Sequence, residues 1–224
     1  MTIRKAILGV SAAAAVLMTG SAYAGALGPG DHLNDLRNGW QINWATAYSH
    51  LNLSGWIIGG DLRAASTAIG NNFTAMTEGS TFLQNQQMQL ADVGAALHVD
   101  VHKVKGDVDI SATGVCNNAA LTTSGGYGSV YNDQRCGTVD PFAVADVKLG
   151  YVGGDTTIAA TAIANNLAMD VTNGAAVLNQ KQQVNVSGTY ARVSADIGAT
   201  AGNVDISATS VGNNITINQR FGTP

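Results

Sequence analysis

Charge is scarce in this chain: Asp, Glu, Lys and Arg make up 12% of its 224 residues, and the formal net charge is −4. Eleven Lys and Arg, two of them Arg4 and Lys5, leave no basic patch to hold a nucleic-acid backbone. They also leave too little to gather into the charged face of a polysaccharide-cleaving β-fold. Proline occurs only three times, so little interrupts strand pairing. Two cysteines are too few to make a metal centre by themselves. The apolar run over residues 6–18 is too short to cross a bilayer, and no later run is longer. A nucleophile elbow, a P-loop, a zinc-protease helix and a dinucleotide fingerprint are all missing. The expectation is a protein that is not an enzyme, with no cofactor, metal, nucleic acid or transmembrane segment.

What is abundant is small and neutral: 27 Gly, with many Ala, Thr, Ser and Asn. Low charge and small side chains suit closely stacked β-structure and self-association, because few charges block edge pairing. The N-terminus reads as an export leader. Arg4 and Lys5 precede the apolar run, and Ala22-Tyr23-Ala24 supplies small residues at a cleavage site. Residues 1–24 are therefore expected to be removed, leaving a secreted bacterial protein that is extracellular or on the cell surface. Residues 25–38, rich in Gly, read as a flexible arm.

Residues 39–224 carry a repeat. Ser66-Thr67-Ala68-Ile69-Gly70-Asn71-Asn72 returns as Ala112-Thr113-Gly114-Val115-Cys116-Asn117-Asn118. It returns again as Ala160-Thr161-Ala162-Ile163-Ala164-Asn165-Asn166 and Ala208-Thr209-Ser210-Val211-Gly212-Asn213-Asn214. Four units follow, about 39–80, 81–127, 128–177 and 178–224. Such a period marks units that cannot bury an apolar face alone and stack on their neighbours. Each unit has a Gly-Asp or Gly-Asn turn (Gly60-Asp61, Gly106-Asp107, Gly154-Asp155, Gly202-Asn203) and then an alternating strand. Val204, Ile206 and Ala208 share one face at even positions, whereas Val211, Asn213, Ile215 and Ile217 share it at odd ones. That change of phase predicts a bulge or corner at the small residues 68, 114, 162 and 210. The pattern predicts an all-β stack resembling a β-solenoid of four coils, with an antiparallel β-sandwich as the alternative. Only Phe221-Gly222-Thr223-Pro224 follow the last alternating run of the fourth unit, so no sizeable cap is expected there.

Several residues invite a chemical reading. The first Asn of each pair is in phase with the apolar face. It is either a buried amide, satisfied by a ladder of Asn on Asn, or a left-handed turn residue. Cys116 and Cys136 are expected to form a disulfide across the Gly/Ser-rich loop between the second and third units. His98, Asp100 and His102 alternate on one strand and read as a solvated face rather than a metal site. Asp107, Asp109, Asp155, Asp205 and Asn203 recur at the turns and read as solvation and edge protection rather than calcium ligands. Trp40, Trp44 and Trp56 fall in the first unit. They cap a core, bind sugar, or meet another subunit.

The Ala-Thr-Ala-Ile-Gly-Asn-Asn-like phrases and the Gln-Gln-x-Gln/Asn strands (Gln86 to Leu90, Gln182 to Val186) resemble bacterial extracellular fibre subunits. Curlin is one example, and the holdfast-anchoring surface proteins of stalked bacteria are another. The resemblance covers residues 39–220 and implies an amyloid-like filament or biofilm subunit whose partner is another copy of itself. The residues expected to carry that role are Asn71, Asn72, Asn117, Asn118, Asn165, Asn166, Asn213 and Asn214. The alternative is a monomeric adhesin that binds cell-surface or matrix polysaccharide through the three Trp.

Overall fold

The computed structural model describes residues 33–37, 41–137, 140–186 and 188–221. The leader, most of the arm and Trp40 lie outside them. Eleven strands form two sheets, with no helix among the described residues. They are β1 (Leu33–Arg37), β2 (Gln41–Asn43), β3 (Ala47–Ile58), β4 (Leu62–Glu78), β5 (Ser80–Gln89) and β6 (Val93–Val104). They continue with β7 (Val108–Cys136), β8 (Phe142–Val152), β9 (Thr156–Asn185), β10 (Tyr190–Thr200) and β11 (Val204–Arg220). One sheet runs β1-β5-β7-β9-β11, with β2 also on β5 and β4 also on β7; the other runs β10-β8-β6-β3.

The strand pairings are parallel, so the antiparallel sandwich weighed from the sequence is not the arrangement observed. Register follows the repeated phrase. Asn71 pairs with Asn117, Asn117 with Asn165, and Asn165 with Asn213. Residues 46 or 48 apart, one circuit of the sequence repeat, thus share a ladder position. Residues 33–37 of the expected arm form β1 and pair with β5.

The core follows from the alternation. Val108, Ile110 and Ala112 of β7 pack with Val93, Leu97 and Val99 of β6, and the same face recurs in β8 and β9. The buried parity of β7 then changes, so that Asn117, Ala119 and Leu121 point inward at odd positions. This second stretch packs against Leu83 of β5 and Val130 to make an adjoining core. The change of phase falls at residues 114–117, yet the ladder continues through it with only the position shared by Gly70, Cys116, Ala164 and Gly212 unpaired. The strands are long, 29 residues in β7 and 30 in β9.

The segment enclosed by the cysteines, expected to be a loop, is instead strand: β7 runs without a break from Val108 to Cys136. Its sharp point is at Gly125 and Gly126, both at positive φ, a region that glycine enters without steric cost. A Cβ on Gly126 would meet the Ser80 backbone nitrogen at 2.7 Å, whereas one on Gly125 meets nothing within 4 Å. Glycine is required at 126 by both conformation and space. The disulfide Cys116–Cys136 is present, with Cα atoms 6.0 Å apart, and both residues are fully buried.

Candidate functional site

The Asn-Asn pairs lie within strands, and none has a positive φ. The first Asn of each pair points inward because it shares parity with Ala119 and Leu167. Asn71 Nδ2 donates to Asn117 Oδ1 at 2.8 Å, Asn117 Nδ2 to Asn165 Oδ1 at 2.7 Å, and Asn165 Nδ2 to Asn213 Oδ1 at 2.8 Å. A buried amide left unpaired costs roughly 1–3 kcal/mol, so stacking like on like is what makes Asn tolerable here. Asn71, Asn117 and Asn165 are buried, whereas Asn213, with nothing above it, is exposed.

The second Asn of each pair points to the other face and forms its own row with the opposite polarity. Asn214 Nδ2 donates to Asn166 Oδ1, Asn166 Nδ2 to Asn118 Oδ1, and Asn118 Nδ2 to Asn72 Oδ1, each at 2.7 Å. A third row is made of glutamines. Gln183 Nε2 donates to Gln134 Oε1 at 2.7 Å, Gln134 Nε2 to Gln87 Oε1 at 2.9 Å, and Gln87 Nε2 to Gln41 Oε1 at 2.9 Å. Each of these amides spends its second N–H on the backbone carbonyl of Asn118, Asn166 or Asn214. The Gln row thereby straps one part of the seven-stranded sheet to the Asn-Asn pairs.

The turn acids make a fourth row. The Asp107 backbone N–H donates to Asp61 Oδ1 at 3.1 Å, Asp155 N–H to Asp107 Oδ1 at 2.9 Å, and Asn203 N–H to Asp155 Oδ1 at 2.8 Å. Their spacing of 46 and 48 residues, equal to that of the Asn pairs, was the available signal for this role. The glutamine row was harder to find. Gln87 and Gln183 align by eye, but the bulge between Asn132 and Asp133 hides Gln134.

That bulge admits one extra residue, Lys181, whose Nζ lies 3.3 Å from Asp133 Oδ2. Arg135 also bonds Asp133, from Nε at 3.1 Å. Burial pushes the Asp133 carboxyl up, but hydrogen bonds from Arg135, Gln182 and Lys181 outweigh it and hold the group below its ordinary range.

The remaining candidates sit on the surface. His98, Asp100 and His102 are exposed on the outer face of β6. Among the described residues no three His, Cys, Asp or Glu gather as metal ligands. Trp44 is 76% exposed and Trp56 72%, so neither seals the core. Trp56 stacks on His102, with ring centroids 4.2 Å apart. The pair stands at the lip of an open groove of about 510 Å³ that crosses the four-stranded sheet past Gly55, Asp100, Lys148 and Asp196.

The fourth-circuit end of the structure differs from its middle, whereas Leu62 and Ala64 at the first-circuit end stay buried. Val204 and Ile206 are 44% and 47% exposed, while their partners two and one circuits below, Val108, Ile110 and Ile158, are covered. Ile215 and Ile217 are exposed too, although Ala119, Leu121, Leu167 and Met169 at the same ladder positions are buried. No described strand pairs with the outer edge of β11 or β10.

A family model described as holdfast attachment protein D matches residues 12–223. No curated protein and no solved structure matches the chain.

Proposed function

The chain belongs to the holdfast attachment protein D family, and on that premise we propose that it serves holdfast adhesion at the cell surface as a secreted, self-assembling structural subunit. In this reading residues 1–24 direct export and residues 39–224 form a solenoid of four coils. Copies add end to end into a filament or matrix, and no catalytic step is involved. One observation carries the proposal: apolar side chains that are buried in the second and third circuits lie open in the fourth. Parallel strands with unpaired edges and an uncovered apolar face are a template for another chain. An end that meets a different end does not close, so addition gives a fibre.

Deleting the gene in a holdfast-bearing host tests the surface role. The cells are expected to make holdfast material and to lose it under shear, with retention restored by the intact gene. Equal retention with and without the gene contradicts the role. Electron microscopy of the purified protein tests assembly: filaments whose amount rises with concentration support it, and monodisperse particles at every concentration oppose it.

A second reading, a monomeric adhesin for polysaccharide, draws on the exposed Trp56–His102 stack above its groove. An indole face beside carboxylates and an ammonium group suits a sugar ring, with the apolar ring face on Trp and hydroxyls on the charges. Trp56→Ala is then expected to abolish retention on immobilised matrix polysaccharide without moving the unfolding midpoint. Undiminished retention removes this reading.

A further inference from the structure

We infer that a second copy of this chain docks its first circuit onto the fourth circuit of the one before it, in unbroken parallel register, and that pairing of like ends is forbidden by the polarity of the amide rows. The inference rests on the self-assembly reading above and adds to it which ends meet, which residues face each other and why.

The side-chain rows have direction. In the outer Asn row every amide donates toward the first circuit. The row therefore ends on Asn72, whose Nδ2 has no partner among the described residues, and on Asn214, whose Oδ1 has none. The Gln row runs the same way and leaves Gln183 Oε1 as an unused acceptor at the fourth circuit. In the turn row each acid accepts the N–H of the circuit above, so Asn203 Oδ1 is unused while the Asp61 N–H has no described partner. The fourth circuit presents acceptors at Asn203, Gln183 and Asn214 and the first presents donors at Asp61 and Asn72. The inner Asn row runs the other way, so Asn213 Nδ2 offers its second N–H at the fourth circuit and Asn71 Oδ1 accepts at the first, again complementary only between unlike ends.

These ends match in position as well as in sign. Leu62, Ala64, Phe73 and Ala75 occupy the ladder positions of Val204, Ile206, Ile215 and Ile217. A neighbour's first circuit, set one strand spacing above the fourth, places Asn72 over Asn214, the Asp61 N–H over Asn203 and Leu62 over Val204. Two fourth circuits facing each other would instead oppose Asn214 Oδ1 to its own copy, acceptor against acceptor. Turning the Asn214 amide does not relieve this, because its Nδ2 is held by Asn166. A buried polar group without a partner opposes association, so like-end dimers are selected against.

Thr74 and Thr216 test the contact, since they share a ladder position one assembly step apart and both are exposed. Neighbouring parallel strands lie about 4.8 Å apart, within disulfide reach. The native disulfide is buried and already closed. Full chain carrying Thr74→Cys is mixed with full chain carrying Thr216→Cys under mild oxidation. The expected result is a disulfide-linked dimer in the mixture and none in either variant alone. Linking of Thr216→Cys chains to each other overturns the inference. So do filaments without any cross-link, which leave self-assembly standing but place its interface elsewhere. Unmodified protein that never associates overturns both readings.

Asn72→Asp is the sharper probe. It keeps the Oδ1 that Asn118 uses and replaces the outward donor with an acceptor that also carries a negative charge, so Asn72→Ser, which removes the amide donor without adding charge, is made beside it. The concentration needed for assembly is expected to rise about tenfold or more, the cost of one unmade hydrogen bond between copies. The unfolding midpoint of the dispersed protein should not move. An unchanged assembly threshold overturns the inference.

Discussion

A single asparagine does different work at different depths in this protein. Asn117 is fully buried, accepts from Asn71 and donates to Asn165. Asn117→Ala leaves a buried donor and a buried acceptor orphaned and should cost at least about 2 kcal/mol, read by chemical denaturation. Asn72→Ala, at an exposed position with water at hand, should cost under about 0.5 kcal/mol. Equal effects would remove burial as the reason for the row. Asp133 gives a second test at this scale. Its carboxyl titrates below its ordinary range in the folded chain, so its ion pairs contribute stability above the unfolded-state value of about 3.9. That contribution is lost as pH falls through the folded value. Asp133→Asn should therefore be less stable than the parent at pH 7, with the gap closing below about pH 4. A gap independent of pH would assign the loss to packing rather than charge.

At the scale of the element, β7 carries the fold. It crosses from the second unit into the third, turns at Gly125-Gly126 and is tied to itself by Cys116–Cys136. Gly126→Ala combines a strained φ with a clash against the Ser80 backbone, whereas Gly125→Ala meets open space. Both should destabilise, at about 1–3 kcal/mol for the strained backbone, with Gly126→Ala the larger. The reverse order would mean that the chain turns elsewhere. The all-β class and the change of phase were legible in the sequence, because Val108, Ile110 and Ala112 alternate and Asn117 and Ala119 then flip parity. The strand character of residues 119–135 was not. Gly125, Gly126 and Gly128 look like a loop in isolation, and what makes the segment strand is pairing of Gly126 with β9 and of Gly128 with both β5 and β9. Parallel against antiparallel order was hidden for the same reason: alternation fixes which face is buried and says nothing of the partner's direction.

For the whole molecule, the legible part of the candidate site was its period. The four Asn pairs announced positions that would lie in register. The turn residues showed the same period but not their hydrogen bonds, and the Gln row stayed hidden because the bulge at Asn132 and Asp133 breaks its phrase. Polarity cannot be read from the sequence at all, since an amide side chain is the same letter whichever way it points. In the proposed assembly each copy is one segment of a longer ladder, complementary between unlike ends. The most direct test is the axial repeat of assembled protein by cryo-electron microscopy or fibre diffraction. Four circuits at about 4.8 Å each predict a rise of about 19 Å per copy, with all copies pointing the same way and a strong spacing near 4.8 Å along the fibre axis. A rise near twice that value, with copies related by a twofold axis across the fibre, would contradict the account.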